Sequence, residues 1–200
     1  MSDHYYSRSP QSKSNPRSWN EQLRGRSYTF TSDVGVFSKH KIDYGTRLLI
    51  ENFQEPTISG DFLDLGCGYG PMGISLADHF QDRRVIMADI NECAIKLAQY
   101  NVMYNAIENA EVFQSDGFSN LKNRYFAAIL TNPPIRAGKK TVYKMFEESK
   151  QALLEEGELW LVIQKKQGAP SAKKKLESLF SRVEVATRKK GYYVLNAINN

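Results

Sequence analysis

From Asp61 onward, short apolar runs alternate with longer amphipathic stretches. "DFLDL", "VIMADI", "AEVFQSD", "FAAILTN" and "GELWLVIQ" have the length and β-branched or aliphatic content of strands. Between them, "MGISLADHF", "NECAIKLAQYNVMYN", a short piece near "GFSNLKN" and "KKTVYKMFEESKQALLEE" read as helices. Strands this apolar are buried on both faces, as in a parallel sheet covered by helices. The chain closes with "SAKKKLESLF", then "VEVATR" and "GYYVLNAI", which "KKG" joins as an antiparallel hairpin. Upstream, "SWNEQLRGRSYTFTSDVGVF" alternates around a turn near Gly25 and reads as a β-hairpin, and "IDYGTRLLIENF" reads as a helix. The expectation is an α/β fold of about seven strands, mostly parallel with an antiparallel C-terminal hairpin, helices on both faces and an N-terminal β-hairpin. Residues 1–17, rich in Ser, Pro, Asn and Arg, read as a flexible tail. Residues 18–200 read as one domain, with the hairpin and first helix in 18–55 and the sheet in 56–200.

Composition narrows the setting. The 200 residues are 41% hydrophobic, enough for one sizeable core. No run of about 18 apolar residues suggests a membrane span, and the first residues lack the apolar stretch of a secretory signal, so the expected location is cytoplasmic. Cys67 and Cys93 read as free thiols. His4, His40 and His79 are scattered without ligand spacing, so no metal is expected. Net charge is +5, and basic runs at 138–140, 165–166, 173–175 and 188–190 lie in the C-terminal half. Such clustering suits RNA or DNA, with solvated surface lysines as the alternative.

The candidate chemistry begins at "DLGCGYGPMG", Asp64 to Gly73, after the first strand of the alternating region. Small residues there let a ligand approach the backbone, and the following helix N-terminus adds donors. "GYGPMG" also matches the dinucleotide fingerprint, so the loop alone leaves a nicotinamide enzyme open. The carboxylates decide. Asp64 precedes the glycines, where it suits a ligand's ammonium group and would repel a pyrophosphate. Asp89 ends the second strand, where a carboxylate grips ribose hydroxyls. Asp116 follows the third, within reach of an adenine amino group. Each alone is also a plausible helix cap; in this order they favour a cationic adenosyl ligand, S-adenosylmethionine.

With these residues in view, the chain resembles the class I S-adenosylmethionine-dependent methyltransferases: "DLGCGYGPMG", Asp89, "SDG" and "NPPI" resemble that superfamily's motifs I to IV. More narrowly, "GVFS", "IDYGTRLL", "DLGCGYGPMG" and "TNPPIRAGK" resemble the small-domain 16S rRNA guanine-N2 methyltransferases over about residues 18 to 197. The resemblance implies a Rossmann-like methyltransferase sheet. It implies cofactor contacts from Asp64, Gly66, Cys67, Gly68, Gly70, Asp89, Ile90, Asp116, Gly117 and Asn132, and a catalytic segment Asn132, Pro133, Pro134 and Ile135. In enzymes with this motif the Asn side-chain oxygen and the following carbonyl accept hydrogen bonds from a planar amino group. Ile135 stands where many relatives carry an aromatic that stacks on the base, so Phe37 or Tyr69 is a candidate replacement. Arg136, Lys139 and Lys140 are expected to meet RNA, and Asp43, Gly45 and Thr46 to line the pocket or cap a helix. The expected partner is RNA, 16S rRNA or the small ribosomal subunit, with a monomer favoured. DNA adenine or protein glutamine N-methylation, and a non-catalytic RNA-binding module, are the alternatives.

Overall fold

The computed structural model describes residues 15–36, 38 and 41–200. Two strands, β1 (Arg17–Leu23) and β2 (Arg26–Ser32), form a separate antiparallel hairpin. Helix α1 (Tyr44–Asn52) follows, then β3 (Asp61–Leu65), α2 (Pro71–His79), β4 (Val85–Asp89), α3 (Glu92–Tyr104) and β5 (Ala110–Gln114). The second half holds β6 (Phe126–Thr131), α4 (Lys139–Ala152), β7 (Leu153–Gln164), α5 (Ala169–Glu177), β8 (Arg182–Lys189) and β9 (Tyr192–Ile198). The main sheet has seven strands in the order β5-β4-β3-β6-β7-β9-β8. Strands β3 to β7 pair in parallel, and β9 is antiparallel to both β7 and β8.

The expected two-face burial holds for the central strands. Every residue of β6 is buried, and alternate positions feed two cores, Leu130 with Trp160 and Val162 on one face, Ile129 with Leu161 and Ile163 on the other. The edge strand β5 is only half-buried throughout. Both hairpins turn on two residues with positive φ, Arg24–Gly25 (48° and 78°) and Lys190–Gly191 (48° and 77°). This is the requirement of the tight turns that match strand twist, and it explains the "RG" and "KG" pairs.

Two expected helices are corrected. Helix α4 stops at Ala152 rather than Glu156, and Leu153 opens β7. The "ALL" run satisfies helical periodicity, but Leu153 is buried in one core and Leu154 packs on the other, so sheet pairing wins. The piece near "GFSNLKN" is a series of turns. Ser115 Oγ donates to the Gly117 carbonyl and accepts from the Asn120 N–H, side-chain bonds that compete with a helix.

The N-terminal hairpin is fastened beside the glycine loop by α3. Asn101 accepts from the Thr31 N–H at 2.8 Å and donates to the Thr31 and Tyr69 carbonyls. Asn105, one turn on, bonds the Thr29 N–H and carbonyl in the same way. Helical i, i+4 spacing matches the i, i+2 repeat of a strand, so two amides supply the ladder that β2 lacks on its outer edge.

Candidate functional site

A cavity of about 490 Å³ lies at the C-terminal ends of β3 to β7, the usual ligand position in open α/β sheets. Sheet order divides its wall. Asp64, Asp89 and Asp116 come from β3, β4 and the segment after β5 on one side; Gln164 and Tyr192 come from β7 and β9 on the other. Asn132 follows β6, between the two.

Asp64 is fully buried; its Oδ2 accepts the Gly73 N–H at 2.8 Å, and its Oδ1 has no partner among the described residues. Burial pushes its carboxyl up to about 7, with Asp89's charge adding to the rise against the Gly73 bond. Asp89 is raised as well, mainly by burial, although the Gly68 and Asn91 N–H groups bond its two oxygens at 2.9 and 2.8 Å. Asp116 sits exposed at the rim. A Cβ added at Gly66 or Gly68 would meet nothing within 4 Å, so the loop's own packing leaves that space open above it. At Gly73 a Cβ would lie 2.5 Å from Met87 Cγ and 3.1 Å from Asp64 Oδ2; that glycine is there for the helix to close on β4. These features fit a ligand with an ammonium group: an unpartnered buried carboxyl oxygen beside a loop that leaves room for it.

The Asn-Pro-Pro segment is held from a distant part of the chain. Asn132 Nδ2 donates to Asp43 Oδ2 and Thr46 Oγ1, both at 3.0 Å. A carboxylate only accepts, so the amide's NH₂ must face it and Oδ1 is left as a free acceptor. Asp43 is at the same time the N-cap of α1, accepting the Thr46 N–H at 3.0 Å. Asp43 thus both caps α1 and lines the cavity. Past Asn132, the Ile135 N–H donates to the Pro133 carbonyl at 2.8 Å, with Pro134 at φ −74° and ψ 78°. This is an inverse γ-turn, which proline's fixed φ favours; the Pro133 oxygen keeps its second lone pair.

Most of the expected residues meet here. Asp43, Thr46, Asp64, Gly66, Cys67, Gly68, Asp89, Ile90, Asp116, Gly117, Asn132, Pro133, Pro134, Ile135 and Arg136 all line the cavity. Gly70 does not; a Cβ there would meet Met87 Cε at 2.7 Å, so it faces the core. Lys139 and Lys140 are exposed on the first turn of α4, outside the lining, and Lys139 Nζ lies 5.1 Å from the Tyr143 ring centroid. Phe37 lies outside the described residues. Burial holds the Cys67 thiol well above its usual range. Among the described residues no group of three side chains could hold a metal ion, and no helix is long and apolar enough to cross a membrane.

Tyr69 is corrected as a base-stacking candidate. Only 2% exposed, its ring packs edge-on against Trp19 and Phe30, so the hairpin consumes it. Tyr69 and Tyr192 both line the cavity, and the Tyr192 ring crosses the start of α1 against Tyr44. Gly45 makes that possible, since a Cβ there would lie 2.8 Å from Tyr192 Cε1. Sequence reasoning missed Gln164 and Tyr192. The available signal was positional: Gln164 ends the strand run "ELWLVIQ", at the edge where such sheets bind ligands.

The basic runs behave differently from one another. Lys165, Lys166 and Lys190 surround a second cavity of about 540 Å³ that shares Gln164 with the first. In the run at 173–175, Lys173 pairs with Glu177, and Lys175 with Glu147 at 2.5 Å.

Residues 27–196 match the family described as the methyltransferase small domain. The chain belongs to that family. Its members take their methyl group from S-adenosylmethionine. The chain is 56% identical over 198 residues to the uncharacterized protein YbxB of Bacillus subtilis (strain 168), covering 98% of each. It is 38% identical over 132 residues to ribosomal RNA small subunit methyltransferase C of Actinobacillus pleuropneumoniae serotype 3 (strain JL03), covering 64% of this chain and 40% of that one. A solved structure of the T. thermophilus 16S rRNA N2 G1207 methyltransferase, in complex with AdoMet and guanosine, superposes with a TM-score of 0.83 at 26% identity. That match covers 92% of this chain and 51% of the other, so the small-domain chain spans about half or less of these rRNA methyltransferases.

Proposed function

We propose that this chain transfers a methyl group from S-adenosylmethionine to the exocyclic N2 amine of a guanine in RNA, with 16S rRNA as the substrate. The observation that carries this reading is the pinned Asn132 amide, whose free oxygen stands between the carboxylate side of the cavity and the β7–β9 side. When bound, the cofactor supplies a methyl group on a positively charged sulfur. Asp64 Oδ1 takes its ammonium group, Asp89 its ribose hydroxyls, and Asp116 the adenine amine at the rim.

Asn132 Oδ1 and the Pro133 carbonyl then accept hydrogen bonds from the two N–H groups of the substrate amine. A purine amine is a poor nucleophile because its lone pair is delocalised into the ring; two acceptors draw the nitrogen toward tetrahedral geometry and aim that pair along one line. The contribution is alignment and charge matching. Asp43 and Thr46 keep the amide from turning its donors inward. Ile135, half-buried against the second core, offers an apolar wall to the base. Lys165, Lys166 and Lys190 beside the cavity suit an RNA backbone. The relatives that act on small-subunit rRNA support this substrate class.

The test is methylation with tritiated cofactor on small ribosomal subunits, free 16S rRNA, tRNA and DNA, followed by nucleoside mass spectrometry. Label in N2-methylguanosine is expected, and Asn132→Ala should abolish it while cofactor affinity changes less than about threefold. No label in any RNA sinks the reading; label in DNA adenine replaces it.

A further inference from the structure

Two buried carboxyl or carboxamide oxygens among the described cavity residues lack a hydrogen-bond partner: Asp64 Oδ1 and Gln164 Oε1. The first faces a cofactor's ammonium group in the reading above. The second stands on the opposite side of β6. Gln164 ends β7, and strand alternation puts it on the face of Trp160 and Val162, against which α1 packs. Its cross-strand partner is Tyr192, whose hydroxyl takes the Gln164 Nε2–H. Tyr192 is held in turn by Tyr44, with ring centroids 5.4 Å apart, and by its close approach to Gly45. The amide thus stands with its donor engaged and its acceptor bare.

We infer that Gln164 Oε1 reads the Watson–Crick edge of the target base by accepting the N1–H of guanine, and that Tyr192 is the positioning residue that anchors the amide beside that edge. This rests on the guanine-amine reading. Guanine presents N1–H beside its N2 amine, a run of donors; Asn132, Pro133 and Gln164 all line one cavity, and each carries an acceptor oxygen. Adenine presents an unprotonated N1 beside its amine, which would set lone pair against lone pair. Leaving a buried acceptor unpaired corresponds to roughly 10- to 100-fold in binding, enough to select between bases.

The experiment is nucleoside binding to the full chain with S-adenosylhomocysteine present, using guanosine, inosine, adenosine and 2-aminopurine riboside. The last keeps the N2 amine but has no N1–H, and its fluorescence reports binding directly; inosine keeps N1–H without the amine. Wild type should bind guanosine and inosine at least about 10-fold more tightly than 2-aminopurine riboside. Gln164→Leu should close the gap to within about threefold by weakening the first two, and Gln164→Glu should preserve it. Tyr192→Phe should narrow the gap as well, because an amide without its anchor no longer holds Oε1 in place at the N1–H. It keeps the ring against Tyr44 and so tests the idea even if Gln164→Leu fails to fold. Equal binding of all four, no binding of any, or an unchanged gap in both Gln164→Leu and Tyr192→Phe overturns the inference. Guanine-N2 methylation by wild type alongside such a result would leave the proposed reaction standing; absence of methylation with the binding pattern intact would do the reverse.

Discussion

Replacing Asp64 by Asn should stabilise the ligand-free protein at pH 8 while destroying its grip on the cofactor. Burial lifts this carboxyl from an ordinary 3.8 to about 7. At about 1.4 kcal/mol per pH unit, ionising it inside the fold costs about 4 kcal/mol at pH 8. The sign follows from proton binding. Between about pH 4 and pH 7 the folded chain holds a proton that the unfolded chain has released, so stability falls as pH rises through that window and levels off above it. Asp89 is shifted the same way, so the diagnostic is the difference between wild type and variant. An Asn still accepts the Gly73 N–H but leaves an uncharged amide group unpaired, at a cost of about 1–3 kcal/mol. A net gain of about 2 kcal/mol at pH 8 remains, or about 4–8 °C in Tm for a domain of this size. By pH 4.5, where the buried carboxyl is protonated, the advantage should vanish or reverse. Thermal melts at both pH values measure this, and calorimetry with S-adenosylhomocysteine should show affinity down by about 10- to 100-fold, the loss of one charge-assisted bond. A Tm below wild type at pH 8, or a difference that does not change with pH, would refute the argument that this oxygen is a buried charge awaiting a cation.

Other outcomes follow from the same contacts. Asp43→Ala removes both a helix cap, about 1 kcal/mol, and one of the two acceptors that hold Asn132; kcat should fall about 10- to 100-fold with cofactor affinity kept, and an unchanged kcat would mean Asn132 needs no such support. Asp89→Ala should weaken cofactor binding before turnover, and unaltered binding in calorimetry would remove its ribose role. Gly73→Ala forces a methyl to within 2.5 Å of Met87 Cγ, so urea melts should show about 1–3 kcal/mol of destabilisation. Asn101→Ala loses three hydrogen bonds that fasten β2 and the glycine loop, about 3 kcal/mol in all. Amide exchange at Thr31 should speed up with it, and wild-type protection there would show that the amide is dispensable.

What the chain's own order of residues determines is what depends on near neighbours. Period-two and period-3.6 patterns, glycines after a strand and X-Gly pairs at hairpin tips are local constraints, so the β/α alternation, the seven-strand count, the glycine loop and the Asn-Pro-Pro break were all legible. The same locality explains the misses. "ALL" at 152–154 fits a helix as well as a strand, and only pairing with β6 decides between them. Tyr69 looked available until Trp19 and Phe30 were folded onto it. The cavity's working contacts join residues far apart in the chain: Asn132 meets Asp43 across 89 positions, and Gln164 meets Tyr192 across 28. No periodicity encodes those pairs. They exist because β9 inserts between β7 and β8 and because the N-terminus of α1 is brought against the end of β6. Residue types alone thus indicate a carboxylate-lined methyltransferase cavity; which amide oxygens remain free in it is decided by strand order and by the side chains that strand order brings alongside.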